Sequence, residues 1–232
     1  METHLLILAV DTSGFEGSIA VSDDRCVLAE RSLIAEGRRH AQTLVLQVDA
    51  ILKALHLAPC DMDAVAVSVG PGSFTGLRVG VVFAKTFAWA NSASLVAVDT
   101  LRAVAQQAAG DVSKIAVISD AQRSEVFVNE YTWDALSEAF LADGAVRIET
   151  IQAAVGQIVE RGLHVTGPGL AKFAGQFSDA SMLMNSSLWI PGAAAVAQIG
   201  SLMLADSQLA DPNTLEPLYI RRSYAEEKAA KS

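Results

Sequence analysis

Residues 70–78 read G-P-G-S-F-T-G-L-R, and the rest of the chain is read outward from them. The apolar run 64–69 precedes this stretch and reads as a buried strand; the apolar run 79–90 follows it and reads as a helix. A strand, a glycine-rich turn and a helix N-terminus gather backbone N–H groups around one point, a geometry that holds anions. Ser73 reads as the N-cap of the helix.

Upstream, the apolar run 5–10 ends in Asp11-Thr12-Ser13-Gly14, a strand followed by a turn. The turn sets a carboxylate and two hydroxyls at the C-terminal end of the strand. In nucleotide-dependent two-lobed folds such a turn faces phosphate and Mg²⁺; the alternative is a simple turn in which Asp and Ser cap the backbone. Asp11, Thr12, Ser13, Gly70, Gly72, Ser73, Thr75 and Arg78 thus form a candidate residual anion or nucleotide loop on the cleft side of one sheet.

Residues 18–22 and 26–33 read as two further strands, giving an antiparallel meander with the first. A helix over 40–57 ends at Pro59, and 95–98 is a fifth strand. The order βββ-α-β-α-β predicts a mixed sheet of the ribonuclease-H-like type with helices on its faces. After a helix near 101–109, strands are expected at 114–119 and 124–133. I-A-V-I-S-D-A-Q (115–122) repeats the plan of I-L-A-V-D-T-S (7–13), which reads as an internal duplication with fewer elements in the second copy. The turn that should oppose the first loop is Asp120-Ala121-Gln122-Arg123. It has no glycine to bring backbone close, which argues against ATP hydrolysis or sugar phosphorylation; a phosphate clamped by Arg123 itself is the alternative. A second G-P-G stands at 167–169 and an alanine-rich helix at 193–204. The tail carries P-L-Y-I-R at 217–221 and frays from 225 to 232.

With 232 residues, 51% of them apolar, the chain is long enough for one large domain or two small lobes. Its net charge of −9 gives no counterion-release affinity for nucleic acid, so a partner must supply positive surface wherever nucleic acid is engaged. Two cysteines, Cys26 and Cys60, exclude a disulfide scaffold. None of His4, His40, His56 and His164 lies four residues from another, so no helix presents two imidazoles on one face; neither metal nor cofactor is expected. The N-terminal apolar stretch is too short for a secretory core, and residues 79–90, broken by Lys85, are too short to span a bilayer; a soluble, cytoplasmic protein is expected.

The second helix carries Gly76, Gly80, Ala84 and Ala88 at spacing four, a small-residue stripe that lets another helix approach closely. Val79, Val82, Phe83, Phe87 and Ala90 cover much of the remainder, and only Arg78 and Lys85 are charged. A helix apolar nearly all round is buried on more than one side. The first helix has a face of Leu44, Val48, Ile51, Leu52 and Leu55, extended by Val45 and Leu46. The expected partner interface is therefore His40, Leu44, Val45, Val48, Ile51, Leu52, Leu55, Gly76, Gly80, Val81, Ala84, Phe87 and Ala88, with the stripe at or near a close helix crossing; the alternatives are that the other lobe covers the second apolar face, or that the stripe faces the sheet.

These motifs, 7–13, His40, G-P-G-S-F-T-G-L-R-V-G (70–80), Ala84-Lys85, D-A-Q-R-S-E-V-F (120–127), 167–169 and 217–221, resemble in order and spacing the bacterial TsaB (YeaZ) family, often labelled glycoprotease or peptidase. The resemblance implies an α/β, actin/Hsp70-like (ASKHA) two-lobed fold, each lobe a ribonuclease-H-like mixed sheet flanked by helices, the second lobe reduced. It implies a first lobe over 1–105 and a smaller one over 106–232, with the tail from about 211 returning to the first. It also implies a cytoplasmic, non-catalytic scaffold for forming threonylcarbamoyladenosine beside the tRNA anticodon. Such a scaffold pairs through the two helices with a catalytic TsaD-like paralogue, helped by a TsaE-like ATPase, meets tRNA indirectly, and forms a homodimer when alone. TsaD-type chains carry an H-x-x-x-H metal pair on the first helix; here Leu44 stands four places after His40, so the pair is absent. A nucleotide-dependent transferase or metallopeptidase-like enzyme of the same fold is the alternative.

Overall fold

The computed structural model describes residues 4–33 and 40–220, with the backbone alone at 40–42. The elements run β1 (Leu6–Asp11), β2 (Ser18–Asp23), β3 (Cys26–Ser32), α1 (His40–Ala54), β4 (Ala64–Gly70), α2 (Phe74–Asn91), β5 (Ser94–Asp99) and α3 (Thr100–Gln106). Then come β6 (Lys114–Gln122), β7 (Glu125–Asp134), β8 (Ala139–Ala142), β9 (Arg147–Thr150), α4 (Ile151–Glu160), β10 (His164–Thr166), α5 (Leu170–Phe173) and α6 (Ala193–Ala205).

The first sheet has the order β3-β2-β1-β4-β5. β1 pairs antiparallel with β2 and parallel with β4, and β4 pairs parallel with β5. Its central strands are apolar without alternation because both faces are covered. Leu8 and Val10 point into a core with Val65, Val67 and helices α1 and α2. Ile7 and Ala9 point the other way, toward Ala64, Ala66 and α6. The alanines have a packing reason: a Cβ added at Gly200 of α6 would lie 2.6 Å from that of Ala66, so helix and sheet touch through small side chains. The chain therefore returns to the first sheet already at α6, and the segment after it stays there, the Ala210 N–H donating to the Leu95 carbonyl and the Leu218 N–H to the Val69 carbonyl, where the tail from about 211 is expected.

The second sheet has the order β10-β6-β7-β8, with β9 also on β7. β6 has an antiparallel neighbour, β7, and a parallel one, β10, repeating the surroundings of β1. Each parallel neighbour, β4 or β10, runs into a Gly-Pro-Gly turn. The first glycine of each turn has positive φ, +122° at Gly70 and +113° at Gly167, a region open to glycine. The duplication visible in the sequence is thus present in the topology. α3 lies between the sheets, its Leu101, Val104 and Ala105 buried with Ile115, Val117, Tyr131 and Phe140. Two mixed sheets flanked by helices make this the α/β architecture expected from the sequence. No described helix is long and apolar enough to cross a membrane.

Candidate functional site

Two concave features stand near the N-terminal half of α2. One is a cleft of about 710 Å³ between the sheets, lined by Ser13, Gly72, Ser73 and Thr100 on one side and by Asp120, Gln122 and Arg123 on the other. The other is a groove of about 480 Å³ between α1 and α2.

In the cleft the two expected loops do meet, but they satisfy one another. The Ser73 N–H donates to the Ser13 carbonyl at 2.6 Å, and the Thr12 hydroxyl donates to the Gly76 carbonyl at 2.7 Å. Ser73 caps α2 as predicted, its hydroxyl accepting from the Gly76 N–H at 3.3 Å while its carbonyl accepts from Leu77 at 2.8 Å. The Gly70 N–H donates to the Thr100 hydroxyl at 3.0 Å. Four of the N–H groups expected to surround an anion are therefore engaged inside the chain. The glycines make that contact possible: an added Cβ at Gly72 would lie 2.5 Å from the Ser13 carbonyl oxygen, and one at Gly76 2.0 Å from that of Thr12. Asp11 and Thr12 are fully buried, and the Ser13 hydroxyl donates to Asp11 Oδ1 at 2.7 Å, matching the simple-turn alternative. Thr75 is exposed, and Arg78 lines the groove while its guanidinium is held against Phe74 and Tyr219, two residues that line the cleft.

On the far wall, Asp120 accepts from the Gln122 N–H at 2.8 Å and from Lys172 Nζ at 2.9 Å. Gln122, Arg123 and Ser124 all have positive φ, 65°, 52° and 60°, a conformation that costs non-glycine residues energy and holds this tip in a tight hairpin. Behind the cleft, Asp99 at the end of the first sheet caps α3. Its Oδ1 accepts from the Arg102 N–H at 2.9 Å and from the Tyr131 hydroxyl of the second sheet at 3.3 Å. Burial pushes the Asp99 carboxyl and the Tyr131 phenol up and the Arg102 guanidinium down, because each loses water around its charged form. Among the described residues no three His, Cys, Asp or Glu side chains gather in a cluster that could hold a metal ion.

The helix pair corrects the expected interface. Gly76, Gly80, Val81, Ala84, Phe87 and Ala88 are buried within the chain, as are Leu44, Val48, Ile51 and Leu52. The stripe faces the first sheet: an added Cβ at Gly80 would lie 2.4 Å from Thr12 Oγ1 and 3.4 Å from Val67 Cγ2. Small residues at spacing four mark a line of close approach, but either a helix or a sheet can occupy it. Leu55 is half-buried against the first core, Val45 is exposed, and the side chain of His40 lies outside the described residues.

The free face is instead the opposite one. On α2, Val82 is 62% and Trp89 82% exposed; on α1, Val45 is 63% and Leu46 58% exposed. The groove between them is lined by Leu44, Val45, Arg78, Val79, Val82, Phe83 and Thr86. Of its large apolar residues, Val79, Val82 and Phe83 were outside the expected interface set, as were Leu46 and Trp89 beside it. Their signal was present as the apolar positions left over when the stripe is turned inward. A continuous apolar surface of this kind on a helix pair is suited to another protein.

The model of the family described as TsaD, tRNA N6-adenosine threonylcarbamoyltransferase, matches residues 34–228. The tRNA threonylcarbamoyladenosine biosynthesis protein TsaB of Escherichia coli is 30% identical over 232 residues, covering 96% of this chain and 97% of that one. The protein of the same name from Bacillus subtilis is 33% identical over 129 residues, and that match spans 56% of each chain, about half the relative's length. A solved Pseudomonas aeruginosa structure described as YeaZ superposes with a TM-score of 0.78 at 22% identity, covering 93% of this chain and all of that one, which shows a shared fold. With a TsaD-type domain over most of its length and a TsaB relative matched end to end, the chain belongs to the TsaB (YeaZ) family.

Proposed function

We propose that this chain acts in tRNA threonylcarbamoyladenosine biosynthesis as a non-catalytic subunit. In this reading it docks a catalytic TsaD-like paralogue, which transfers the threonylcarbamoyl group to N6 of adenosine with a TsaE-like ATPase in the same cytoplasmic assembly. The names of the relatives support the pathway. The observation that carries the docking is the apolar groove between α1 and α2, lined by the exposed Val82, with the exposed Trp89 beside it. A paralogue is the natural occupant because it shares this fold, as the family match implies, and brings an equivalent helix pair. Two such pairs can meet about a pseudo-two-fold axis as a four-helix packing; two copies of this chain can do so about a true one. The engaged glycine loop and the glycine-free Asp120–Arg123 turn support a supporting rather than a nucleotide-using role.

The test mixes the chain with its TsaD-like partner and follows complex mass by sedimentation and threonylcarbamoylation of tRNA. Val82→Glu places a charge in the centre of the groove and is expected to weaken association by about thirty-fold or more, the scale of a central interface residue. Its melting temperature should stay unchanged, since Val82 is exposed. Undiminished association of that variant, or transfer to tRNA by the chain alone, would overturn the proposal.

A further inference from the structure

Among the described residues, Arg78 both lines the groove and contacts the C-terminal segment. Its Nε donates to the Tyr219 hydroxyl at 2.8 Å, its guanidinium carbon lies 3.8 Å from the centre of the Phe74 ring, and the Phe74 and Tyr219 rings pack 5.2 Å apart, tilted by 39°. The segment that delivers Tyr219 is tied down along its length. The Ala210 N–H donates to the Leu95 carbonyl at 2.8 Å, and Lys85 Nζ donates to the Leu215 carbonyl at 3.2 Å. The Leu218 N–H donates to the Val69 carbonyl at 2.7 Å. The Leu218 carbonyl also lies against Gly70, 3.2 Å from where a Cβ would stand.

We propose that residues 210–220 form a strap that presets Arg78 for the partner at the groove, making Tyr219 a positioning residue for docking although it lies outside the groove. This rests on the docking role proposed above and adds how that face is controlled. An arginine on an exposed helix face samples many rotamers, and binding must freeze it. Here the Tyr219 hydroxyl fixes Nε and the Phe74 ring holds the guanidinium plane, so the ordering is complete before a partner arrives. Freezing one long side chain corresponds to about a two- to ten-fold change in affinity. The coupling is reciprocal: a partner that engages Arg78 stabilises the strap by the same factor.

The full-length chain is titrated with the TsaD-like partner as wild type, Tyr219→Ala, Tyr219→Phe, Arg78→Ala and the double Arg78→Ala/Tyr219→Ala. Tyr219→Ala should weaken association about two- to ten-fold, and Tyr219→Phe by less, because its ring still packs. In the Arg78→Ala background the loss of Tyr219 should have no further effect, a non-additivity that a general loosening of the fold would not produce. Hydrogen exchange of the Leu218 amide should slow on docking by the same factor. Additive losses, unchanged affinity of Tyr219→Ala, or unaltered Leu218 exchange would each overturn the strap. If Val82→Glu abolishes binding while Tyr219→Ala leaves it intact, docking at the groove stands and the strap falls. If the wild-type chain does not bind the TsaD-like partner, both fall.

Discussion

Gly76→Ala is the sharpest perturbation of the α2–sheet contact. At an exposed helix interior this change stabilises by about 1 kcal/mol, because alanine is the better helix former. At position 76 the new Cβ would stand 2.0 Å from the Thr12 carbonyl oxygen, about 1.5 Å inside an ordinary contact of roughly 3.5 Å. The obstacle is backbone at the end of β1, so no side chain can swing away. Either the first turn of α2 or the β1 turn must move, and each movement stretches the Thr12–Gly76 and Ser73–Ser13 hydrogen bonds. Overpacking costs about 1–3 kcal/mol, and leaving a buried polar group unsatisfied about 1–3 kcal/mol more. Set against the helix gain, a net loss of about 3 kcal/mol is expected, which in a chain of this size lowers the melting temperature by about 6–12 °C. Gly156→Ala in α4 is the control, because an added Cβ there meets nothing within 4 Å; it should raise stability by about 0.5–1 kcal/mol. Thermal melts and urea titrations of both variants, with sedimentation alongside, decide the matter. A Gly76→Ala protein that melts at or above the wild type, or one that keeps its stability and loses only association, would refute the placement of the stripe against the sheet.

Ser73→Ala removes the α2 cap and should cost about 1 kcal/mol, read as a melting temperature lower by about 2–4 °C. Millimolar Mg-ATP should shift the melting temperature by less than about 1 °C; micromolar affinity would add about 4 kcal/mol at that concentration and raise it by about 8 °C or more, which would sink the reading of the cleft. Asp99 has its carboxyl raised above the ordinary 3.8 by burial, so across the window above that value the folded state holds a proton that the unfolded state has released. Wild-type stability measured against Asp99→Asn should therefore fall as pH rises through that window and stay low above it, and parallel stability curves for the two proteins would count against the assignment.

How far the residues reveal this molecule varies with the kind of information needed. The first sheet was legible strand by strand: β1, β2, β4 and β5 are largely buried and read as apolar runs broken by Asp, Gly and Pro, and the edge strand β3 follows β2 across the Asp23-Asp24 turn although none of its residues is fully buried. The Ser73 cap was legible because a helix start needs a side-chain acceptor at that position. The end of α1 was placed too late, at residue 57 against Ala54, since Leu55 and Leu57 continue the apolar face while packing beside the first core in a turn. Which side of α2 is free was not legible. Periodicity identifies faces of a helix, but their assignment to sheet or solvent is tertiary information, here decided by Thr12 and Val67. The glycine loop is ambiguous for a related reason, since glycines that admit a phosphate and glycines that admit a neighbouring turn leave the same pattern in the sequence.

The duplication explains why the exposed apolar helix face arises from one half of the chain. In both halves a central strand has an antiparallel hairpin neighbour and a parallel neighbour that ends in Gly-Pro-Gly. After the first such turn comes α2, 18 residues long; after the second comes α5, only 4 residues. An 18-residue helix is about 27 Å long, enough to cover the sheet and still present an outer face, whereas a 4-residue helix is consumed in closing its own core. Leu170 and Phe173 of α5 are accordingly buried with Ile118 and Val165. Reduction of the second copy thus shortens the helix layer of one half, where α4 and α5 still cover β6 and β7, while the first half keeps an outer apolar face on α1 and α2. If a fold-sharing paralogue supplies the matching pair, as proposed, the same geometry makes self-association and hetero-association mutually exclusive. Adding the TsaD-like chain should then dissolve any homodimer in proportion to the heterodimer formed, and a species containing two copies of this chain joined through α1 and α2 while each also holds a partner there would be incompatible with the surface described.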